Sequence, residues 1–130
     1  MKTKTITICG KDVTLAYCYA TEISYKMLSD EDIKDFVQEV VAALNAEPQR
    51  MPDVRKSVLL IIAAAMAYSE SKGDKDCPIA DKDLMYHATP DELGTALGTV
   101  IALRMEFYHV PTDEAEAAKK EEKEADPKNA

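Results

Sequence analysis

Cysteine and histidine are the residue types here that could bind a metal or attack a substrate, and the chain has Cys9, Cys18, Cys77, His87 and His109. Neither histidine has a His or Cys three or four residues away, so no zinc-type spacing occurs. Cys18 stands between two tyrosines, which favours a packing thiol over a nucleophile. The histidines are expected at the surface or at helix ends, and no metal or cofactor is predicted.

Motifs for nucleophilic or phosphate chemistry are missing from the sequence. It contains no G-x-S-x-G and no glycine-rich phosphate loop, and it has only four glycines. Glu22, Asp35 and Glu39 are isolated acids, which favours a solvated face over a paired-carboxylate site. The sequence therefore predicts no catalytic residue and a protein that is not an enzyme.

The residues that could bind a partner lie close together in the last helical segment. Gly94 and Gly98 share one helix face, although each glycine costs about 1 kcal/mol relative to alanine. Close packing against the small residues of 63–67 would compensate, and so would a dimer or partner groove; both remain open. Met105, beside Arg104 and Tyr108, is a second candidate contact. The internal methionines are otherwise expected mostly in the core: Met27, Met51, Met66, Met85 and Met105.

Alternating apolar and polar residues predict a β-hairpin over 4–16. Thr5-Ile6-Thr7-Ile8 and Val13-Thr14-Leu15 flank a turn placed at Gly10-Lys11. That turn pairs Cys9 with Asp12 and Ile8 with Val13. Because an isolated hairpin is only marginally stable, its apolar face must pack on helices or on further strands.

Helical periodicity predicts about four helices, near 20–28, 30–46, 52–72 and 81–109. The third is apolar nearly all round and is expected to be the central buried helix. Expected caps are Ser29 or Asp30, Asp53 after Pro52, Gly73 and Asp81; Thr89-Pro90-Asp91-Glu92 forms a capping box. The predicted fold class is α+β, mostly α-helical with an N-terminal β-hairpin, in one globular domain over 1–111.

The C-terminal segment 112–130 consists largely of Ala, Glu, Lys and Asp and is predicted to be a disordered charged tail, with Pro111 as the boundary. It carries three of the eight net negative charges. An acidic chain without a Lys/Arg cluster is not expected to bind nucleic acid.

The longest apolar run, 58–67, is too short for a membrane span. Three cysteines without C-x-x-C or a signal peptide favour reduced thiols in a cytoplasm.

The order of elements resembles that of the small tail assembly chaperones of long-tailed bacteriophages and prophages. The resemblance rests on the hairpin Ile6–Leu15, the amphipathic and apolar helices, the run Asp83-Leu84-Met85-Tyr86 with the box at Thr89, and the acidic tail. It implies a non-enzymatic protein of the bacterial host cytoplasm. Such a protein would bind the tape measure protein and help tail tube subunits to assemble around it.

The resemblance also implies a longer form made by ribosomal frameshifting, for which Ala118-Lys119-Lys120 is the compatible site. Family function maps onto no single residue, so the predicted partner-binding residues are those chosen above: Gly94, Gly98, Arg104, Met105 and Tyr108. A homo-oligomer is possible. The alternative is a small acidic adaptor or inhibitor of a basic protein surface, whose binding would weaken steeply with salt.

Overall fold

The computed structural model describes residues 1–109, which form an antiparallel hairpin and five helices. The elements are β1 Lys2–Ile8, β2 Lys11–Tyr17, α1 Tyr19–Ser29, α2 Ile33–Asn45, α3 Val54–Ser71, α4 Asp81–His87 and α5 Pro90–Tyr108. The predicted α+β class with an N-terminal hairpin is therefore confirmed. The predictions for Pro111, for the tail 112–130 and for Ala118-Lys119-Lys120 lie outside the described residues.

The helix count differs from the prediction because the segment 81–109 holds two helices. Ala88 and Thr89 have extended backbone between α4 and α5. Pro90 is the cause, since a residue before proline is disfavoured in the helical region. The five helices thus replace the four expected.

The hairpin turn lies one residue earlier than predicted. Cys9 and Gly10 both have positive φ (53° and 74°), as a type I′ turn requires, and Ile8 pairs with Lys11 rather than with Val13. The register is shifted by two residues, so each side chain keeps its predicted face. The apolar face of the hairpin is therefore made of the predicted residues, and Ile8, Val13 and Leu15 are buried.

Helix α3 lies at the centre of the domain, as predicted. It contacts α1, β2, α4 and α5, and the residues from Leu60 to Ala65 are all buried. The apolar face of the hairpin packs on α3 and α5. This arrangement gives the isolated pair of strands the helical support that it needs.

The predicted helix caps are partly confirmed. Asp53 accepts from the backbone N–H of Lys56, Gly73 has φ +84° just after α3, and Thr89 forms the predicted box with Glu92. Asp81 is not the cap of α4, because the N-cap position is Ala80. The N-cap of α2 is Asp32 rather than the predicted Ser29 or Asp30, because Asp30 adopts a left-handed conformation that ends α1. No helix within residues 1–109 is long and apolar enough to cross a membrane.

The hairpin turn is held at the junction of α4 and α5. The backbone N–H of Cys9 donates to Glu92 Oε2 at 2.8 Å, and the Cys9 thiol donates to the Asp83 carbonyl at 3.5 Å. Lys11 Nζ lies 3.6 Å from Asp83 Oδ2. Glu92 thus closes the capping box of α5 and also satisfies a turn donor 83 residues earlier in the chain.

Candidate functional site

The residues that could carry metal or thiol chemistry lie apart from one another. No three His, Cys, Asp or Glu side chains within residues 1–109 group closely enough to hold a metal ion. All three cysteines are free and half-buried, and desolvation raises the pKa of the Cys9 and Cys77 thiols. A raised pKa disfavours the nucleophilic thiolate. His87 is exposed and His109 caps the end of α5, as the sequence predicted for the histidines.

The glycine pair of α5 does not pack inside the domain. Gly94 and Gly98 are exposed, and no heavy atom lies within 4 Å of where a Cβ would stand on either residue. The alternative of packing against 63–67 is therefore wrong. The small residues of α3 are covered by other side chains, because α5 turns the opposite face inward: Leu93, Ala96, Leu97, Val100 and Leu103.

An open groove of about 390 Å³ lies over the two glycines. One wall is the C-terminal half of α2 with the segment 49–52, and the other is the N-terminal half of α5. The lining is predominantly apolar: Val40, Leu44, Met51, Pro52, Pro90, Gly94, Leu97, Gly98 and Ile101, with Gln49, Arg50 and Asp91. Leu44 is 51% exposed and Met51 is 43% exposed, so the groove leaves large apolar side chains in water. We call this feature the α2–α5 groove.

Backbone and side-chain hydrogen bonds fix the α2 wall of the groove. After α2 ends, the Arg50 N–H donates back to the Ala43 carbonyl at 3.1 Å, and Gln49 Nε2 donates to the Leu44 carbonyl at 3.2 Å. Asp53 N–H donates to Glu39 Oε2 at 3.2 Å. The segment is thereby folded against α2, which holds Met51 and Pro52 at the edge of the groove.

The C-terminal half of α5 is bound to the body of the domain. The hydroxyls of Tyr108 and Tyr17 both donate to Glu22 Oε2, at 2.5 and 2.6 Å. The guanidinium carbon of Arg104 lies 5.3 Å from the centre of the Tyr108 ring. The hydrogen bond to Glu22, reinforced by desolvation, raises the pKa of Tyr108 to about 12. The expectation that Glu22 lies on a solvated face is therefore wrong.

Aromatic packing reinforces this attachment. The Phe107 ring centre lies 5.6 Å from that of Tyr17, 5.2 Å from Tyr19 and 5.1 Å from Tyr108. Such separations are typical of favourable edge and tilted aromatic pairs. Met105 is half-buried on the same part of the helix. The structure thus brings Arg104 and Tyr108 together, and the two glycines together, but in separate halves of α5.

Sequence reasoning missed an apolar stripe on α1. Tyr19, Ile23 and Met27 are 64%, 61% and 81% exposed, although Thr21 and Tyr25 on the opposite side of the helix are buried. The signal was present, because the three residues recur every four positions while Tyr25 needs a different face. Assigning the methionines mostly to the core concealed it, and that assignment is wrong for Met27, Met51 and Met85.

Lys56 forms ion pairs with two acids, Glu31 and Glu39. Lys56 Nζ lies 3.0 Å from Glu31 Oε2 and 3.1 Å from Glu39 Oε1, and these bonds raise the pKa of the lysine. Glu39 is therefore not the isolated acid that its sequence position indicated.

The chain was compared with protein-family models, with curated protein sequences and with solved structures, and none of the three comparisons gave a match.

Proposed function

We propose that this protein is a non-enzymatic tail assembly chaperone that holds helical segments of a tape measure protein in its α2–α5 groove. The observation that carries the proposal is the open apolar groove with two glycines in its α5 wall. Each glycine in a helix interior costs about 1 kcal/mol relative to alanine, and no close contact within residues 1–109 compensates for this cost at Gly94 or Gly98.

The groove suits an amphipathic helix. Such a helix docks through apolar side chains at i, i+3, i+4 and i+7, and the absence of a Cβ at Gly94 and Gly98 allows its backbone to come close. A volume of about 390 Å³ takes only a few side chains at once. Binding through one short groove is weak and exchangeable, which suits a protein that coats a long helical client and later leaves it.

The acidic-adaptor alternative has less support. An acidic adaptor would bind through exposed carboxylates such as Asp35, Asp91 and Glu106. The α2–α5 groove, in contrast, is predominantly apolar, and its two charged residues, Arg50 and Asp91, have opposite signs. Binding that persists as salt rises supports the apolar groove, and a steep loss with salt supports the adaptor.

Co-expression with the client tests the proposal. The gene for this chain should be followed by a reading frame for a very long helical protein, and the two products should co-purify. Gly98→Leu, which fills the groove, should weaken the complex on the order of tenfold or more. Thr95→Leu is the matched control, because Thr95 is exposed on the same helix but does not line the groove.

Two results would count against this function. Metabolic genes on both sides of the frame would remove the tape measure client. Equal binding by Gly98→Leu and Thr95→Leu would place any complex elsewhere on the surface. For the longer frameshifted form, the gene sequence around Ala118-Lys119-Lys120 must contain an uninterrupted slippery run.

A further inference from the structure

We propose that this chain binds a carboxylate group in a polar hollow between α1, the start of α2 and the end of α5, with the Arg104 guanidinium as the principal donor. The hollow has a volume of about 330 Å³ and is lined by Glu22, Asp32, Ile33, Lys34, Arg104 and Tyr108. None of these residues lines the α2–α5 groove, so the site goes beyond the proposed function.

Arg104 carries a charge without an acceptor. Its Nε atom is shut off from water and has no hydrogen-bond partner in residues 1–109. The guanidinium carbon lies 5.3 Å from the centre of the Tyr108 ring, which attracts the charge but does not replace an oxygen acceptor. A charged donor that has lost water without gaining an acceptor is costly, and it indicates a missing partner. Because Nε is closed off, that partner must reach the Nη groups from the hollow that Arg104 lines.

Two further features of the hollow favour an anion. Lys34 lines it and forms no ion pair with residues 1–109. Helix α2 begins beside it, and the side chain of the N-cap residue, Asp32, makes no capping hydrogen bond. The first N–H groups of α2 therefore lack their usual side-chain acceptor, and they place the positive end of the helix dipole next to Arg104.

The acids of the hollow decide which anion fits. Glu22 Oε2 accepts the hydroxyls of Tyr17 and Tyr108, and Asp32 lies 3.7 Å from Lys26. Two carboxylates beside a site repel a doubly charged phosphate about twice as strongly as a singly charged group. A planar carboxylate also matches the fork of a guanidinium. The ligand class is therefore a singly charged carboxylate.

A carboxylate can come from two sources. The segment 112–130 follows α5 directly and has Asp113, Glu114 and Glu116 near its start. The other source is an acidic side chain or a chain terminus of a second molecule. Both sources present the same chemical group to Arg104, so the site is tested with acetate and the sources are distinguished by a change in the segment.

Titration with sodium acetate, followed by NMR of the arginine Nε–H groups, tests the site. The arginines of the chain are Arg50, Arg55 and Arg104, so the Arg104 signal is identified by its loss in Arg104→Lys. Acetate replaces chloride at constant ionic strength, which keeps screening unchanged. At about pH 7 the Arg104 signal should shift with a Kd on the order of 10 mM, and the other two should not. Inorganic phosphate should bind roughly fivefold more weakly or not at all.

Variants show whether the guanidinium is the principal donor. Arg104→Lys keeps the charge but loses the fork, so it should weaken acetate binding roughly fivefold or more, as reported by the backbone amides of Ile33 and Lys34. Arg55→Lys, at an exposed arginine of α3 outside the hollow, should bind like wild type. Lys34→Gln, at an exposed position, should weaken binding about twofold and tests the site without disturbing α5.

A chain that combines Asp113→Asn, Glu114→Gln and Glu116→Gln distinguishes the sources. Acetate binding by the wild type means that a second molecule supplies the carboxylate. Binding by the combined variant alone means that the acids of the chain itself occupy the hollow.

Three contrary results overturn the inference. An Arg104 signal that acetate shifts in neither chain excludes the site. Equal acetate binding by wild type and Arg104→Lys removes Arg104 as the principal donor, and phosphate that binds as tightly as acetate excludes carboxylate as the ligand class. These failures leave the proposed function intact, because the hollow and the α2–α5 groove share no residue.

Discussion

The two halves of α5 have opposite relations to the rest of the domain. The C-terminal half carries Arg104, Phe107 and Tyr108, which are residue types enriched at protein interfaces. Within the domain, Phe107 and Tyr108 nevertheless contact α1 and β2, and Arg104 stacks on Tyr108. The N-terminal half carries Gly94 and Gly98, which offer no side chain, yet it faces an open groove.

The difference shows that residue type alone does not locate a docking surface. Aromatic rings and a guanidinium pack favourably on many kinds of surface, and within one chain that surface is a neighbouring helix or strand. A glycine pair adds nothing to the stability of its own helix. Its place beside an apolar groove is therefore the more specific indication that something else must bind there.

Removal of the Phe107 ring should have the largest effect on stability, because the C-terminal half of α5 packs on the domain through this ring. Phe107→Ala deletes a ring in contact with Tyr17, Tyr19 and Tyr108 and should lower the free energy of unfolding by about 2–3 kcal/mol. Urea denaturation measures this. Tyr86→Ala, at a side chain 77% exposed, should change stability by less than about 0.5 kcal/mol. Equal effects would mean that the aromatic cluster does not hold α5.

The hydrogen bond from Tyr108 to Glu22 should contribute about 1 kcal/mol. A double-mutant cycle with Tyr108→Phe and Glu22→Ala isolates it, because each change removes the hydrogen bond and the coupling energy removes losses that each change causes elsewhere. We expect the two single changes to sum to more than the double change. A coupling energy near zero would show that this hydrogen bond does not help to hold the end of α5.

Replacement of a groove glycine should change the free energy of unfolding in the opposite direction. Gly98→Ala should raise the free energy of unfolding by about 0.5–1 kcal/mol, since alanine is the better helix former and the new methyl group meets no atom within 4 Å. Ala102→Gly, at an exposed position of the same helix, is the reverse control and should lower stability by a similar amount. A destabilised Gly98→Ala would mean that the glycine already packs against something in the domain.

The smallest effect concerns acid stability at the start of α5. The backbone N–H groups of Cys9 and Thr89 hold the pKa of Glu92 below its ordinary value of 4.5. A lowered folded pKa stabilises the fold above about pH 4.5, and that stability is lost as pH falls through the folded pKa. Glu92→Gln should therefore lose less melting temperature than wild type between about pH 6 and about pH 3.

The control for this prediction is Glu106→Gln, because the Glu106 side chain makes no hydrogen bond with residues 1–109 and is exposed on the same helix. Its melting temperature should follow the wild-type pH dependence. A Glu92→Gln variant that also follows the wild type would show that the turn contact contributes nothing at neutral pH.

Local patterns predicted the elements well because each depends on neighbours in sequence. The capping box at Thr89, the left-handed Gly73 and the apolar helix α3 are all dictated by residues within a few positions. The turn position was missed because cysteine seldom adopts the positive φ that Cys9 has here. Its backbone N–H is held by Glu92, which no local pattern can reveal.

The site was harder to predict because it depends on which faces remain uncovered. Periodicity showed that Gly94 and Gly98 share a face, but whether α3 covers that face depends on the rotation of α5 about its own axis. Five inward residues from Leu93 to Leu103 decide that rotation. The same reasoning applies to α1, where burial of Tyr25 leaves Ile23 outside.

The bond between the Cys9 backbone and Glu92 also has a consequence for synthesis on the ribosome. The hairpin is synthesised before α5, and Glu92, which holds its turn, follows 83 residues after Cys9. At about 5–20 residues per second, β1 and β2 wait roughly 4–16 seconds before α5 exists to cover them. The first strands made therefore reach their final packing only when the last helix of the domain leaves the exit tunnel.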